Sequence, residues 1–148
     1  MLSSIDDVLD GPAAFDAYAS AFARSLRPGD VVALRGPLGA GKTAFVRAVV
    51  RALHGSDDAV SSPTFVFRQR YDGTPPIEHV DLYRIEDPAA ELPDLALDDA
   101  FAPDRIALVE WPERAAGRLP PDLIEVRIEG AGDSPRTVRV TRPTTPAR

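Results

Sequence analysis

The feature that most restricts this chain is an eight-residue run, GPLGAGKT from Gly36 to Thr43. It matches the phosphate-loop pattern GxxxxGK[ST] in full. Gly36, Gly39 and Gly41 permit backbone conformations that a side chain would forbid, so successive N–H groups can converge on phosphate oxygens at a helix N-terminus. Lys42 is placed to neutralise the β and γ phosphates, and Thr43 to offer its hydroxyl to magnesium. The flanks suit the motif. Asp30 to Arg35 reads DVVALR, a short buried strand, and after the loop Phe45, Val46, Val49, Val50 and Leu53 recur at helical spacing until Gly55 stops the helix. Strand, glycine loop and helix together predict a site for ATP or GTP with magnesium.

Composition sharpens this. Of seventeen basic residues sixteen are arginine, and the single lysine is Lys42. A compositional bias explains the arginines but not the position of the exception; the loop needs a compact ammonium on a flexible stem. The net charge of −6 argues against autonomous binding to nucleic acid, which draws its affinity from Lys and Arg, so any RNA role should pass through a partner. With no cysteine there are no disulfides, zinc–thiolate sites or iron–sulfur clusters. No apolar run is long enough to cross a bilayer, and MLSSIDDVLDG has acids where a secretory signal carries positive charge. The expectation is a cytoplasmic protein that makes no membrane contact. Its 148 residues suit one domain over 1–142, with a disordered tail at 143–148.

Pro12 to Leu26 predicts a first helix, with Phe15, Tyr18, Ala19, Phe22 and Leu26 on one stripe, ended by Pro28 and Gly29. TFVFRQRY from Thr64 predicts a strand, and the turn at Asp72 and Gly73 leads into a second strand over Ile77 to Tyr83. Pro88 to Ala102 holds leucines among acids and a proline, which predicts short helices. Ile106 to Val109 is another buried strand, while LIEVRI and RTVRV alternate apolar with polar residues, as strands with one wet face do. Helices alternating with paired strands predict an α/β three-layer sandwich of the P-loop NTPase kind, with a mixed sheet.

Hydrolysis needs acids beyond the loop. Glu110 follows IALV and should emerge at the carboxyl edge of the sheet, the usual ligand side of open α/β folds; Asp81 sits similarly in HVDLYR. Either is a candidate to hold the metal or its water, or a solvated strand-end charge. Thr64 in SSPTF reads as a γ-phosphate sensor or as a strand-start turn. Trp111 packs against nucleotide or partner, or is a core aromatic. Arg136 reaches a phosphate or base, or is a solvated arginine. His54 reads as a helix C-terminal residue and His79 as a strand residue; neither is assigned to a metal.

The ordered set PGD, GPLGAGKTAFVRA, SSPTFVFRQRY, HVDLYRI and VEWPER resembles the TsaE (YjeE) family, small bacterial ATPases of tRNA threonylcarbamoyladenosine synthesis. The resemblance covers nearly the whole chain. It implies an ATPase that works with the TsaB and TsaD proteins to form N6-threonylcarbamoyladenosine at position 37 of tRNA, the transfer chemistry belonging to TsaD and tRNA being met only through the complex. By the same resemblance the phosphate loop carries onto Leu38, Gly39, Ala40, Gly41, Lys42 and Thr43, and the magnesium ligands onto Thr43 and Glu110. Arg136 matches a nucleotide-contacting arginine, Thr64 the switch threonine, Asp81 the acid that helps hydrolysis, and Trp111 the family's tryptophan. Pro37 stands where an acid is usual, and Phe15 where a small polar residue is often found.

The expected mechanism is phosphoryl transfer to water, with Lys42 and magnesium stabilising charge and Asp81 or Glu110 orienting the nucleophile. No arginine sits in a motif marking an internal finger, which predicts slow turnover without partners. Three rivals share the loop: a small-molecule kinase, for which no arginine-bearing lid stands out; a GTPase, disfavoured because a chain without asparagine has no NKxD segment; and a non-catalytic nucleotide-gated adaptor.

Overall fold

A seven-stranded mixed sheet runs through the molecule in the order β1-β7-β6-β2-β5-β4-β3. The strands are β1 (Leu2–Leu9), β2 (Val31–Arg35), β3 (Arg68–Tyr71), β4 (Ile77–Asp81), β5 (Ile106–Glu110), β6 (Ile124–Glu129) and β7 (Arg136–Pro143). The computed structural model describes residues 2–60, 67–115 and 117–143. The four central strands, β6, β2, β5 and β4, are parallel, and antiparallel strands flank them on both sides. The expected α/β sandwich with a mixed sheet is what forms.

Helices α1 (Pro12–Ala23) and α2 (Lys42–His54) cover one face of the sheet. Their seam is aromatic: Phe45 lies with ring centroids 5.9 Å from Phe15 and 5.5 Å from Phe22. Short elements cover the other face: α3 (Pro88–Glu91), a 3-10 turn at Leu92–Leu95 and α4 (Leu97–Ala100), which bury Leu92, Leu97 and Ala100. Arg68 ties this layer down. Its Nε donates to Glu78 at 2.7 Å, its Nη1 to the Leu95 carbonyl at 2.8 Å and its Nη2 to Asp99 at 2.6 Å.

The structure departs from the sequence expectation at one edge. Leu2–Leu9, given no strand from sequence, pairs antiparallel with β7 from Leu2↔Pro143 to Leu9↔Arg136. The segment LSSIDDVL breaks strict alternation with two polar doublets, so no period of two announces a strand. What holds it is β7's open edge and the bidentate pair in which Arg139 donates to Asp6 at 2.6 and 3.1 Å. In consequence β7 runs to Pro143, three residues beyond RTVRV and into the stretch expected as tail; residues 144–148 lie outside the described residues.

Candidate functional site

Alternation within the parallel strands decides which side chains meet the phosphate loop. Val32 and Leu34 of β2, Ile77 of β4, and Ile106 and Leu108 of β5 all pack on the α1–α2 face. Continuing those rows by twos brings His79 and Asp81 on β4, and Glu110 on β5, to the same face at the carboxyl ends of the strands. There Asp81 and Glu110 are register partners. The loop leaves β2 next door, so α2 begins beside both acids.

The loop's path depends on its glycines. Gly36 is pressed so closely on β6 that a Cβ would lie 2.4 Å from the Ile128 carbonyl oxygen. Gly41 caps α2 at φ +110, and a Cβ there would lie 3.2 Å from the Phe15 ring. The Ala40 N–H donates to the Pro37 carbonyl at 3.2 Å and the Phe45 N–H to Gly41 at 2.9 Å. The N–H groups between them open the helix and have no carbonyl one turn back to bond, as at any helix N-terminus.

Lys42 is only 5% exposed. Its Nζ donates to the carbonyls of Gly36 and, at 2.9 Å, Pro37, and sits 4.3 Å from the Trp111 ring centroid. Burial lowers its pKa, while Glu110, Glu113 and Asp81 oppose that shift and favour the ammonium. The Thr43 hydroxyl lies 3.1 and 3.2 Å from the two oxygens of Glu110 and can donate to either. Asp81 is half-buried, and its Oδ1 accepts from the Tyr83 N–H at 3.0 Å. Its pKa is raised, first by burial and then by Glu110.

A cavity of about 380 Å³ lies against these groups. Of the residues singled out in the sequence, Leu38, Gly39, Gly41, Lys42, Thr43, Asp81, Glu110 and Trp111 line it. Trp111 has φ +57, an uncommon and strained conformation for a bulky side chain of the kind found at functional sites. Its ring centroid is 5.0 Å from that of Tyr83. Ala40 and Arg136 border instead a second cavity of about 300 Å³ on the other side of the loop, with Gly11, Phe15 and Gly132. Arg136 is fully engaged with backbone: Nε donates to Ala40 at 2.9 Å and Nη1 to Ser134 at 2.6 Å, with longer bonds to Gly39 and Gly132. Thr64 lies outside the described residues.

Several residues at the site carried no assignment from sequence. Phe67, Tyr83 and Arg84 line the larger cavity. His79, 8% exposed, has its Nε2 2.6 Å from Glu110 Oε2 and its Nδ1 2.8 Å from the Tyr71 hydroxyl. That hydroxyl also lies 2.9 Å from the Gln69 side-chain oxygen, and its pKa is pushed up to about 12, by burial first and by the Glu110 charge second. The available signal was the spacing of His79 two residues before Asp81, which puts both on one face.

The oxygens of Thr43 and Glu110 suit a hard cation such as magnesium, which keeps several waters and shares few protein ligands with a phosphate. Among the described residues no group of three or more His, Asp and Glu is arranged to hold a metal by itself. No helix among the described residues is long and apolar enough to cross a membrane.

A family model described as threonylcarbamoyl adenosine biosynthesis protein TsaE matches residues 9–138. The tRNA threonylcarbamoyladenosine biosynthesis protein TsaE of Bacillus subtilis (strain 168) is 40% identical over 126 residues, covering 84% of this chain and 77% of its own length. The protein of that name from Streptomyces coelicolor is 43% identical over 122 residues, covering 79% and 80%. The crystal structure of Bacillus subtilis YdiB superposes with a TM-score of 0.76 at 30% identity, over 96% of this chain and 87% of that one. With the match spanning most of its length, sheet and phosphate loop included, the chain belongs to the TsaE family of threonylcarbamoyl adenosine biosynthesis proteins.

Proposed function

We propose that this chain binds ATP with magnesium and hydrolyses it in the cytoplasm, working with the TsaB and TsaD proteins in forming N6-threonylcarbamoyladenosine at position 37 of tRNA. One observation carries the reading: the Thr43 hydroxyl and the Glu110 carboxylate, 67 residues apart in sequence, meet at 3.1 and 3.2 Å beside the buried Lys42 ammonium. An ordinary glycine turn has no need of a buried carboxylate facing the first turn of its helix.

Magnesium, when bound, neutralises charge on the β and γ phosphates. Thr43 and Glu110 would hold it. Lys42 stabilises the negative charge that spreads over the γ-phosphate oxygens in phosphoryl transfer, acting where water is scarce and a fixed charge counts for more. The amides from Gly39 to Thr43 cradle the phosphates. Asp81, anchored through Oδ1 to the Tyr83 N–H and facing the larger cavity, has its second oxygen to orient the attacking water. Arg136 supports the loop by holding the Ala40 carbonyl, and with Phe15 borders the cavity that would take the base.

ATP turnover by the full chain, measured alone, with TsaB and TsaD, and with a panel of small phosphoryl acceptors, tests the reading. The expected result is slow hydrolysis alone, acceleration by the two proteins and no acceptor phosphorylated. Calorimetry that detects no association with saturating ATP and magnesium overturns the proposal. Transfer to an acceptor would make the chain a kinase. A Glu110→Ala variant that keeps full partner function while Lys42→Ala loses it would make it a non-catalytic adaptor.

A further inference from the structure

We infer that His79 is a positioning residue for the metal site: held at its other ring nitrogen by Tyr71, it fixes the Glu110 carboxylate in the orientation that leaves an oxygen for magnesium. The inference rests on the proposed magnesium–nucleotide reading and deepens it.

An ionised carboxylate only accepts, so the 2.6 Å contact between His79 Nε2 and Glu110 Oε2 requires the proton on Nε2. The imidazole Nδ1 lies 2.8 Å from the Tyr71 hydroxyl, which in turn donates to the Gln69 side-chain oxygen at 2.9 Å. The ring is therefore held at both nitrogens, between the Tyr71–Gln69 pair and the carboxylate that also meets Thr43.

The terminal torsion of a glutamate is broad and roughly two-fold, so an unrestrained Glu110 samples many carboxylate orientations. A charge-assisted bond to Oε2 removes that freedom, and a metal ligand's affinity depends on such orienting partners. Other polar contacts show the contrast. The part-buried His54 ends on the backbone carbonyl of Pro75 at 2.7 Å, and the buried Glu78, on the opposite face of β4 from His79, is paired with Arg68 and Arg105. Of the two histidines, His79 alone has a ring nitrogen against a carboxylate that borders the larger cavity.

The test is calorimetric binding of a non-hydrolysable ATP analogue to the full-length chain across a magnesium chloride titration, with kcat measured over the same range. His79→Leu is expected to raise the magnesium midpoint about 10- to 100-fold, the usual cost of losing an orienting partner, with kcat recovering as magnesium is added. His79→Gln, which keeps a donor near the Nε2 position, should restore most of the midpoint. Tyr71→Phe removes the hydrogen bond at the ring's other nitrogen, so the imidazole is held less firmly against Glu110, and it should shift the midpoint the same way by less. A purely structural histidine would lower the melting temperature without moving the magnesium midpoint. A wild-type midpoint in folded His79→Leu overturns the inference. Should that variant fail to fold, a wild-type midpoint in Tyr71→Phe overturns it equally. If the unmutated chain binds the analogue with no dependence on magnesium, the proposed metal site falls and this inference with it; if the unmutated chain shows the dependence and the variants match it, only the positioning role falls.

Discussion

The two cavities flanking the phosphate loop are built from different materials. On the β5 side the charges are buried: Lys42 and Glu110 are 5% and 3% exposed, with half-buried Asp81 beside them. On the β7 side the walls are Gly11, Phe15, Gly41 and Gly132, the carboxylates of Asp10 and Asp133 are exposed, and the Arg136 guanidinium is taken up by carbonyls. Charges held out of water interact strongly and are costly to leave unpaired, so they are placed where charge develops during a reaction. Glycines and a ring shape a slot. The difference teaches that substitutions on the first side should alter the chemical step, and those on the second the grip on the ligand.

Lys42→Ala is the sharpest way to break that division. It should lower kcat/KM for ATP hydrolysis by about 10²- to 10³-fold, the scale for removing one preorganised charge-stabilising group. Steady-state assays with the TsaB and TsaD proteins present would measure it. A variant retaining most of its turnover would mean that the buried ammonium has no part in the reaction.

Asp81→Asn should follow, reducing kcat by about 10²-fold while leaving the affinity for the ATP analogue nearly unchanged. The asparagine keeps an oxygen to accept from the Tyr83 N–H, so the backbone there is undisturbed. Equal losses in binding and turnover would place Asp81 among the ligand-gripping residues and erase the distinction on this side.

Arg136→Ala probes the opposite side. Without the Nε bond the Ala40 carbonyl loses its side-chain anchor, and the expected result is a KM raised about tenfold with kcat little changed, in line with one charged hydrogen bond. A kcat effect as large as that of Asp81→Asn would show that the loop's support and its chemistry are not separable.

What could be read in the chain before its fold was known follows from how local each signal is. The phosphate loop is contiguous, so its glycines, Lys42 and Thr43 announce it directly. Glu110 and Asp81 were legible as strand-end acids, but their pairing in register across β4 and β5 is a tertiary fact. His79 gave little sign, because its meaning depends on a carboxylate 31 residues on and a phenol eight residues back. The carbonyl clasp of Arg136 has backbone partners, which have no sequence signature at all. The edge strand Leu2–Leu9 is held by β7 rather than by its own alternation, so it was missed. The short helices between Pro88 and Ala102 were expected from their proline and acids, while the burial of Leu92 and Leu97 comes from packing on residues distant in sequence, such as Val80 and Val109, in a layer that Arg68 also bonds.

The smallest effect concerns stability, and it separates the two cavities by pH. Asp81's folded-state pKa is raised above the ordinary 3.8, by burial first and Glu110 second, so its protonated form is the one the folded chain favours. The stability this contributes is fully present below pH 3.8 and is lost as pH rises through the folded value; at neutral pH the ionised carboxylate is a burden on the fold. Asp81→Asn, neutral at every pH, should therefore melt slightly above the parent chain at pH 7, and the increment should shrink towards zero as pH falls to about 3.8. Substitution of the exposed Asp133 by Asn on the other side provides the reference melt. Thermal melts of the two variants between pH 4 and about 7 measure the contrast. An Asp81→Asn chain less stable than its parent at neutral pH would mean that the carboxylate is held by attraction rather than tolerated for its chemistry, and the functional division between the cavities would lose its energetic basis.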